Sequence, residues 1–129
     1  MRLKQTFLLF LMTLLIIGCS SDDSIMEKSN AKNLIGNKYA HLLIDTKEEC
    51  EARPAEQSCA YRLEILNDSQ VDIAFTDIVH RANFYINNNK LIIESTSGIP
   101  EDLVFEILQN GDLKLQQEIW IKYENSFYE

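Results

Sequence analysis

The chain has 129 residues, a length that fits one domain. It carries 20 acidic and 12 basic residues, for a formal net charge of −8, and Arg2 and Lys4 are the only charged residues before position 19. Because nucleic acids and anionic membrane surfaces are bound through basic patches, this charge argues against both as partners.

The first 18 residues have the composition of an export signal. Arg2 and Lys4 give a positive start, and a largely apolar stretch follows over residues 7–17. This stretch is shorter than the ~20 residues that span a bilayer as a helix. We therefore predict a cleaved signal peptide at 1–18, with an uncleaved transmembrane anchor as the alternative.

The residues Ile16-Ile17-Gly18-Cys19 close this segment and resemble the lipobox of bacterial lipoproteins. The resemblance implies cleavage after Gly18 and acylation of Cys19, which becomes the lipid-attachment residue at the mature N-terminus. Two or more acyl chains give stable anchoring, whereas one holds a protein only marginally. The expected membrane partner is thus reached through lipid on Cys19.

The next residues, Ser20-Ser21-Asp22-Asp23, resemble the acidic surface-export signal of lipoproteins from Bacteroidota. This resemblance implies a lipoprotein of the outer membrane that faces the cell exterior; an ordinary tether on a periplasm-facing protein is the alternative. Residues 19–33 hold too few apolar side chains to offset the entropy of ordering. They are predicted to be a flexible tether before a domain at 34–129.

Within that domain, short apolar runs alternate with turn residues. Tyr61, Leu63 and Ile65, for example, alternate with Arg62 and Glu64, which is the period of a half-buried strand. Such patterns predict eight strands, near 38–44, 61–65, 71–75, 79–86, 90–94, 103–108, 113–115 and 119–123. Regularly spaced short strands predict an all-β fold, a small antiparallel up-and-down barrel, with a β-sandwich as the alternative.

One of these segments is ambiguous. Residues 100–110 could form a short helix, because Pro100 would begin it and Gly111 would follow its end. We favour a strand, since Asn110-Gly111 has the chemistry of a two-residue type I′ hairpin turn.

The inward-facing residues of the predicted barrel are bulky, which favours an interior filled with side chains over a ligand cavity. Because Ile119 and Ile121 belong to this set, Trp120 is expected to point away from it and to cover a barrel end or lie exposed. The predicted inward set is Tyr61, Leu63, Ile65, Val71, Ile73, Phe75, Leu91, Ile93, Leu113, Leu115, Ile119 and Ile121.

The layout over residues 34–123 resembles the small lipocalin-like domains of Bacteroidota lipoproteins. Leu34-Ile35-Gly36-Asn37-Lys38-Tyr39 corresponds to the apolar-Gly-x-Trp opening of those domains, but Lys38 stands where they have Trp. The resemblance implies a lipocalin-like barrel and says little about function.

Two further cysteines, Cys50 and Cys59, would meet an oxidising compartment after export, so we predict a disulfide between them. A metal or redox pair is the alternative, although the spacing is not C-x-x-C. Acidic residues crowd this segment and form either a contact surface for a basic partner or a solvated loop, namely Glu48, Glu49, Glu51 and Glu56. Their spacing excludes a calcium loop of the EF-hand type.

No nucleophile, metalloprotease or phosphate-loop motif is present, and His41 and His80 fall on different predicted strands. We therefore expect no enzymatic activity, catalytic residue, cofactor or metal. The predicted function is a lipid-anchored binding or accessory module, holding a small apolar ligand or a protein partner. The alternative is an inhibitor or immunity protein that neutralises a basic enzyme or toxin.

Overall fold

Eight antiparallel strands close into a barrel in the computed structural model, which describes residues 32–128. Each strand pairs with its neighbours in the chain, and β8 pairs with β1 to complete the ring. The strands are β1 Lys38–Leu42, β2 Ala60–Ile65, β3 Gln70–Ala74, β4 Val79–Asn87, β5 Lys90–Ile93, β6 Leu103–Ile107, β7 Leu113–Leu115 and β8 Glu118–Tyr123. The predicted up-and-down barrel is confirmed, and the β-sandwich alternative is wrong.

The only helix longer than one turn in the described range is α1, Lys47–Glu51, within the connection from β1 to β2. The alternative helix near 100–110 is wrong, because residues 103–107 form β6 and pair with both β5 and β7. Within residues 32–128, none of the helical segments has the length and apolar character to span a bilayer. The predicted signal peptide, Cys19 and most of the tether lie outside the described residues.

The interior of the barrel is filled by apolar side chains, as the bulk of the predicted inward residues favoured. Leu63, Ile73, Leu91 and Leu113 are each no more than 1% exposed, and they come from four different strands. Tyr39 is also fully buried, and burial raises the pKa of its phenol, whose oxygen accepts a hydrogen bond of 3.2 Å from Nδ2 of Asn37.

The prediction for β8 is wrong in phase. Trp120 is fully buried inside the barrel, whereas Ile119 is 41% exposed on the outer wall. The bonds to the first strand set this phase, since Ile121 pairs with Ala40 and Nδ1 of His41 donates to the carbonyl of Ile119 over 2.9 Å. The largest side chain of the domain therefore lies inside the barrel and not on its surface, 6.2 Å from the rings of Tyr61 and Phe75.

The outer faces of β1 and β8 are partly covered by the C-terminal segment. The phenol of Tyr128 donates to the carbonyl of Ile44 over 3.1 Å, and the ring of Phe127 lies 5.5 Å from that of Tyr123. This cover accounts for the apolar ring of Tyr123 on the outer face of β8. Ala40, an outward residue of β1, is also fully buried.

The two ends of the barrel have different neighbours because the strands alternate in direction. Residues 32–37 lead into the start of β1 at one end. The connections β1–β2, β3–β4, β5–β6 and β7–β8 all lie at the opposite end, remote from the side on which the tether would join the domain.

Candidate functional site

The barrel end remote from residues 32–37 carries a concentration of exposed carboxylates and an apolar groove. It is built from four connections, residues 43–59, 75–78, 94–102 and 116–117, which we name the acidic rim. Loops at one end of a rigid barrel are a common place for binding residues. These four connections are therefore the candidate site.

Charge is strongly concentrated on the acidic rim. Its connections carry nine acidic and two basic side chains, and all nine carboxylates are exposed. The other described residues hold seven acidic and seven basic side chains, so their formal charges cancel. The acidic set is Asp45, Glu48, Glu49, Glu51, Glu56, Asp77, Glu94, Glu101 and Asp102, and the basic residues are Lys47 and Arg53.

The largest connection is held in shape by a helix and a disulfide. Thr46 begins α1, because its hydroxyl accepts a hydrogen bond of 3.3 Å from the backbone N–H of Glu49. The predicted Cys50–Cys59 disulfide is present, with 5.7 Å between the two Cα atoms. The backbone N–H of Leu43 also donates to the carbonyl of Cys59 over 2.9 Å, so the first and last residues of the connection are held together.

The structure brings the predicted contact residues onto this one connection. Glu48, Glu49 and Glu51 lie on α1, and Glu56 follows in the same connection. Sequence reasoning missed the four rim carboxylates outside this connection, Asp77, Glu94, Glu101 and Asp102, because they lie 20 to 50 residues further along the chain. Their shared signal is position, since all fall in connections at the same end of an up-and-down barrel.

An open groove of about 480 Å³ lies between the β1–β2 and β3–β4 connections, residues 43–59 and 75–78, and reaches Tyr61 on β2. Its apolar lining comes from Leu43, Tyr61, Phe75 and Ile78, and charged side chains lie beside it. Ile78 is 64% exposed, the highest value for a large apolar side chain in residues 32–128. An exposed apolar group beside a groove is typical of a contact surface.

Aromatic rings form a rigid floor below this groove. The rings of Tyr61 and Phe75 meet edge to face at 5.2 Å, and each lies 6.2 Å from the ring of Trp120. Because Trp120 is fully buried, the two groove residues rest on the barrel core. The groove therefore has a fixed apolar base even though its edges are loops.

The β5–β6 connection closes another part of the same end. Thr96 and Ile99 exchange two backbone hydrogen bonds, and Ile99 is 1% exposed because it packs into the core. Gly98 lies directly against the imidazole of His80, so that a Cβ atom at this position would overlap the ring. A glycine is required here by close approach rather than by a special backbone angle.

We expect Gly98→Ala to lower the free energy of unfolding by roughly 1–3 kcal/mol, because the added methyl group must displace a partly buried ring. Urea denaturation of the purified protein measures the change. In the double variant with His80→Ala the methyl group has space, so the cost of Gly98→Ala should be smaller than in the parent. An equal cost in both backgrounds would contradict the proposed clash.

The two histidines have structural contacts of their own. Nδ1 of His41 is bonded to the carbonyl of Ile119, and His80 packs on Gly98. Between residues 32 and 128, no group of three or more His, Cys, Asp or Glu side chains is placed to hold a metal ion. What this end presents is exposed carboxylates and an apolar groove.

Comparison of the chain with protein-family models, with curated proteins and with solved structures finds no match.

Proposed function

We propose that this protein is a lipid-anchored, non-enzymatic binding module of the bacterial outer membrane. The observation that carries the proposal is the location of the acidic rim at the end of the barrel opposite residues 32–37. A lipid on Cys19 would hold the domain by that N-terminal end. The rim, with its exposed charge and its groove, would then face away from the membrane and be open to a partner.

The filled interior supports contact at the surface rather than storage of a ligand inside. Trp120, Tyr39 and Phe105 occupy the barrel and are fully buried. A lipocalin-type ligand would have to displace such side chains, whereas the rim needs no rearrangement. A small apolar ligand therefore fits this structure less well than a protein partner.

A second candidate function is neutralisation of a basic enzyme or toxin, as an inhibitor or immunity protein. The specific observation in its favour is the excess of carboxylates on the rim, where all nine are exposed. Opposite charge accelerates the encounter of such pairs and selects against other partners. Both candidates use the same face of the barrel.

The anchoring part of the proposal is tested with Cys19→Ser in the native host. We expect the variant to remain unprocessed and to lack acyl chains, because the thiol that carries the lipid is lost. Mass spectrometry and membrane fractionation measure both effects, and Ser24→Ala is the matched control that should behave as wild type. Normal mature mass and normal membrane association of the Cys19→Ser variant would refute the anchor.

The orientation is tested separately by protease treatment of intact cells that express the wild-type chain. A protein on the cell surface is digested, whereas one that faces the periplasm survives until the cells are lysed. We propose the surface location, in keeping with the acidic residues Asp22 and Asp23 after the anchor. A protected protein would place the same module in the periplasm.

A further inference from the structure

We propose that the acidic rim docks a basic polypeptide segment that inserts one large apolar side chain into the groove between the β1–β2 and β3–β4 connections. This inference rests on the binding function proposed above and specifies its partner class. It requires both parts of the surface, the excess of carboxylates and the apolar groove, to act on the same ligand.

The negative charge of the rim favours a positively charged partner. Glu56 and Asp77 lie on the groove itself, where the nearest basic side chain is Arg53. The guanidinium of Arg53 already donates to the carbonyl of Ser58 over 3.4 Å. An incoming lysine or arginine would therefore meet exposed carboxylates, and an acidic ligand would be repelled.

The groove supplies the apolar part of the contact. Its edge residues Leu43 and Ile78 are 41% and 64% exposed, and Tyr61 and Phe75 form its base. Affinity at interfaces is usually dominated by a few large side chains that become fully buried in such pockets. An aromatic or leucine side chain would cover both exposed edges, so a purely hydrophilic basic segment leaves this surface unused.

The closed barrel also restricts the form of the interaction. Each of the eight strands is paired on both sides, so there is no free strand edge in the described domain. A peptide cannot bind by adding a strand to the sheet, as many extended ligands do. Contact must then be made through side chains on the rim, which suits a helix or loop with basic residues around an apolar one.

The test measures binding of three labelled 12-residue peptides to the full mature lipoprotein in a non-ionic detergent, by fluorescence polarisation. The first peptide contains lysine, arginine and one central phenylalanine. In the second peptide the phenylalanine is replaced by serine, and in the third the basic residues are replaced by glutamate. We expect saturable binding of the first, binding of the second weaker by at least about tenfold, because the apolar contact in the groove is lost, and none of the third.

Two matched pairs of variants locate the site. Glu56→Lys with Asp77→Lys should weaken binding of the first peptide by at least about tenfold and make its affinity less dependent on salt concentration. Glu106→Lys with Glu124→Lys makes the same change in net charge at exposed residues away from the rim. This pair should weaken binding of the first peptide by less than about twofold. Equal losses from the two pairs would overturn the inference, because attraction would then depend on net charge alone.

The apolar contact is located in the same way. Ile78→Ser should remove most of the advantage of the phenylalanine peptide over its serine counterpart, whereas Val104→Ser, on the outer wall and 44% exposed, should not. Equal binding of the acidic peptide, or no saturable binding of any basic peptide at 50 mM salt, would refute the docking site. Neither result bears on the anchor, because the assay measures binding by purified protein, and the Cys19→Ser experiment measures processing alone.

Discussion

Replacement of Trp120 by alanine is expected to lower the free energy of unfolding by about 3–5 kcal/mol, the range for removal of a buried aromatic side chain. Trp120 is fully buried, and its ring lies 5.2 Å from that of Phe105 and 6.2 Å from those of His41, Tyr61 and Phe75. The side chain touches several strands of a closed ring, so the cavity left behind cannot collapse by movement of one strand. Thermal and urea denaturation of the purified protein measure the loss.

The control for this experiment is Trp120→Phe. The Nε1 atom of Trp120 is buried with no hydrogen-bond partner among the described residues, and a phenylalanine removes that unsatisfied donor. The smaller cavity is therefore partly offset, and we expect a loss of less than half that of the alanine variant. Alanine and phenylalanine variants of equal stability, or an alanine variant within about 1 kcal/mol of wild type, would contradict the burial of Trp120 inside the barrel.

A domain of this size typically has a total stability of about 5–15 kcal/mol. The alanine variant would therefore lose a large fraction of its folded population near physiological temperature. The floor of the groove, formed by Tyr61 and Phe75 on Trp120, would be lost with it. For this reason the binding experiments above use exposed residues such as Ile78 and Asp77, whose substitution does not open the core.

The order and type of the strands could be predicted from the sequence, whereas the phase of β8 could not. In β2 and β3 polar residues such as Arg62 and Asp72 mark the outer face, so period-2 alternation identifies the inward set. In β8 the run Ile119-Trp120-Ile121 is apolar throughout, and its pattern fits either phase. The long-range pairing with β1 and the cover from the C-terminal segment decide the matter, and neither is encoded locally.

The turn residues predicted the position of the hairpin between β6 and β7 but not its turn type. The hairpin at Asn110-Gly111 exists, but only Gly111 has a positive φ, of 93°, and the backbone N–H of Leu108 closes a longer turn by donating to the carbonyl of Asp112. The two-residue turn with positive φ at both positions, as a type I′ turn requires, is instead Asn88-Asn89, with φ of 48° and 61°. Asn tolerates this conformation, so the asparagine run was the stronger signal.

Half of the candidate site was visible in the sequence because it is local. The disulfide and the carboxylates of α1 fall within 12 residues of each other, and their composition alone marks the segment. The groove could not be predicted, since it forms only when Ile78 and Phe75 are brought beside Leu43 by the pairing of β1, β2 and β3. Exposed apolar residues in turns are common, and only their arrangement around one hollow gives them significance.

Removal of the disulfide with Cys50→Ser and Cys59→Ser together is expected to lower the free energy of unfolding by about 2.5–3 kcal/mol, the chain-entropy value for a closed loop of about ten residues. The bridge joins the end of α1 to the start of β2, and the bond from Leu43 to Cys59 fixes the other side of the connection. Loss of the bridge frees the unfolded chain and also loosens one edge of the groove. We therefore expect the melting temperature to fall by about 10–20 °C.

The same variant separates the stability of the loop from its role in binding. Reduction of the wild-type protein should reproduce the melting temperature of the double variant, because both remove the same covalent link. At a temperature where the double variant stays folded, the basic phenylalanine peptide should bind it more weakly, since Glu56 and Arg53 on the groove lie inside the released loop. A variant as stable as wild type would show that the connection is held by α1 and its hydrogen bonds alone. Unchanged peptide affinity would instead assign the contact to the β3–β4 side of the groove.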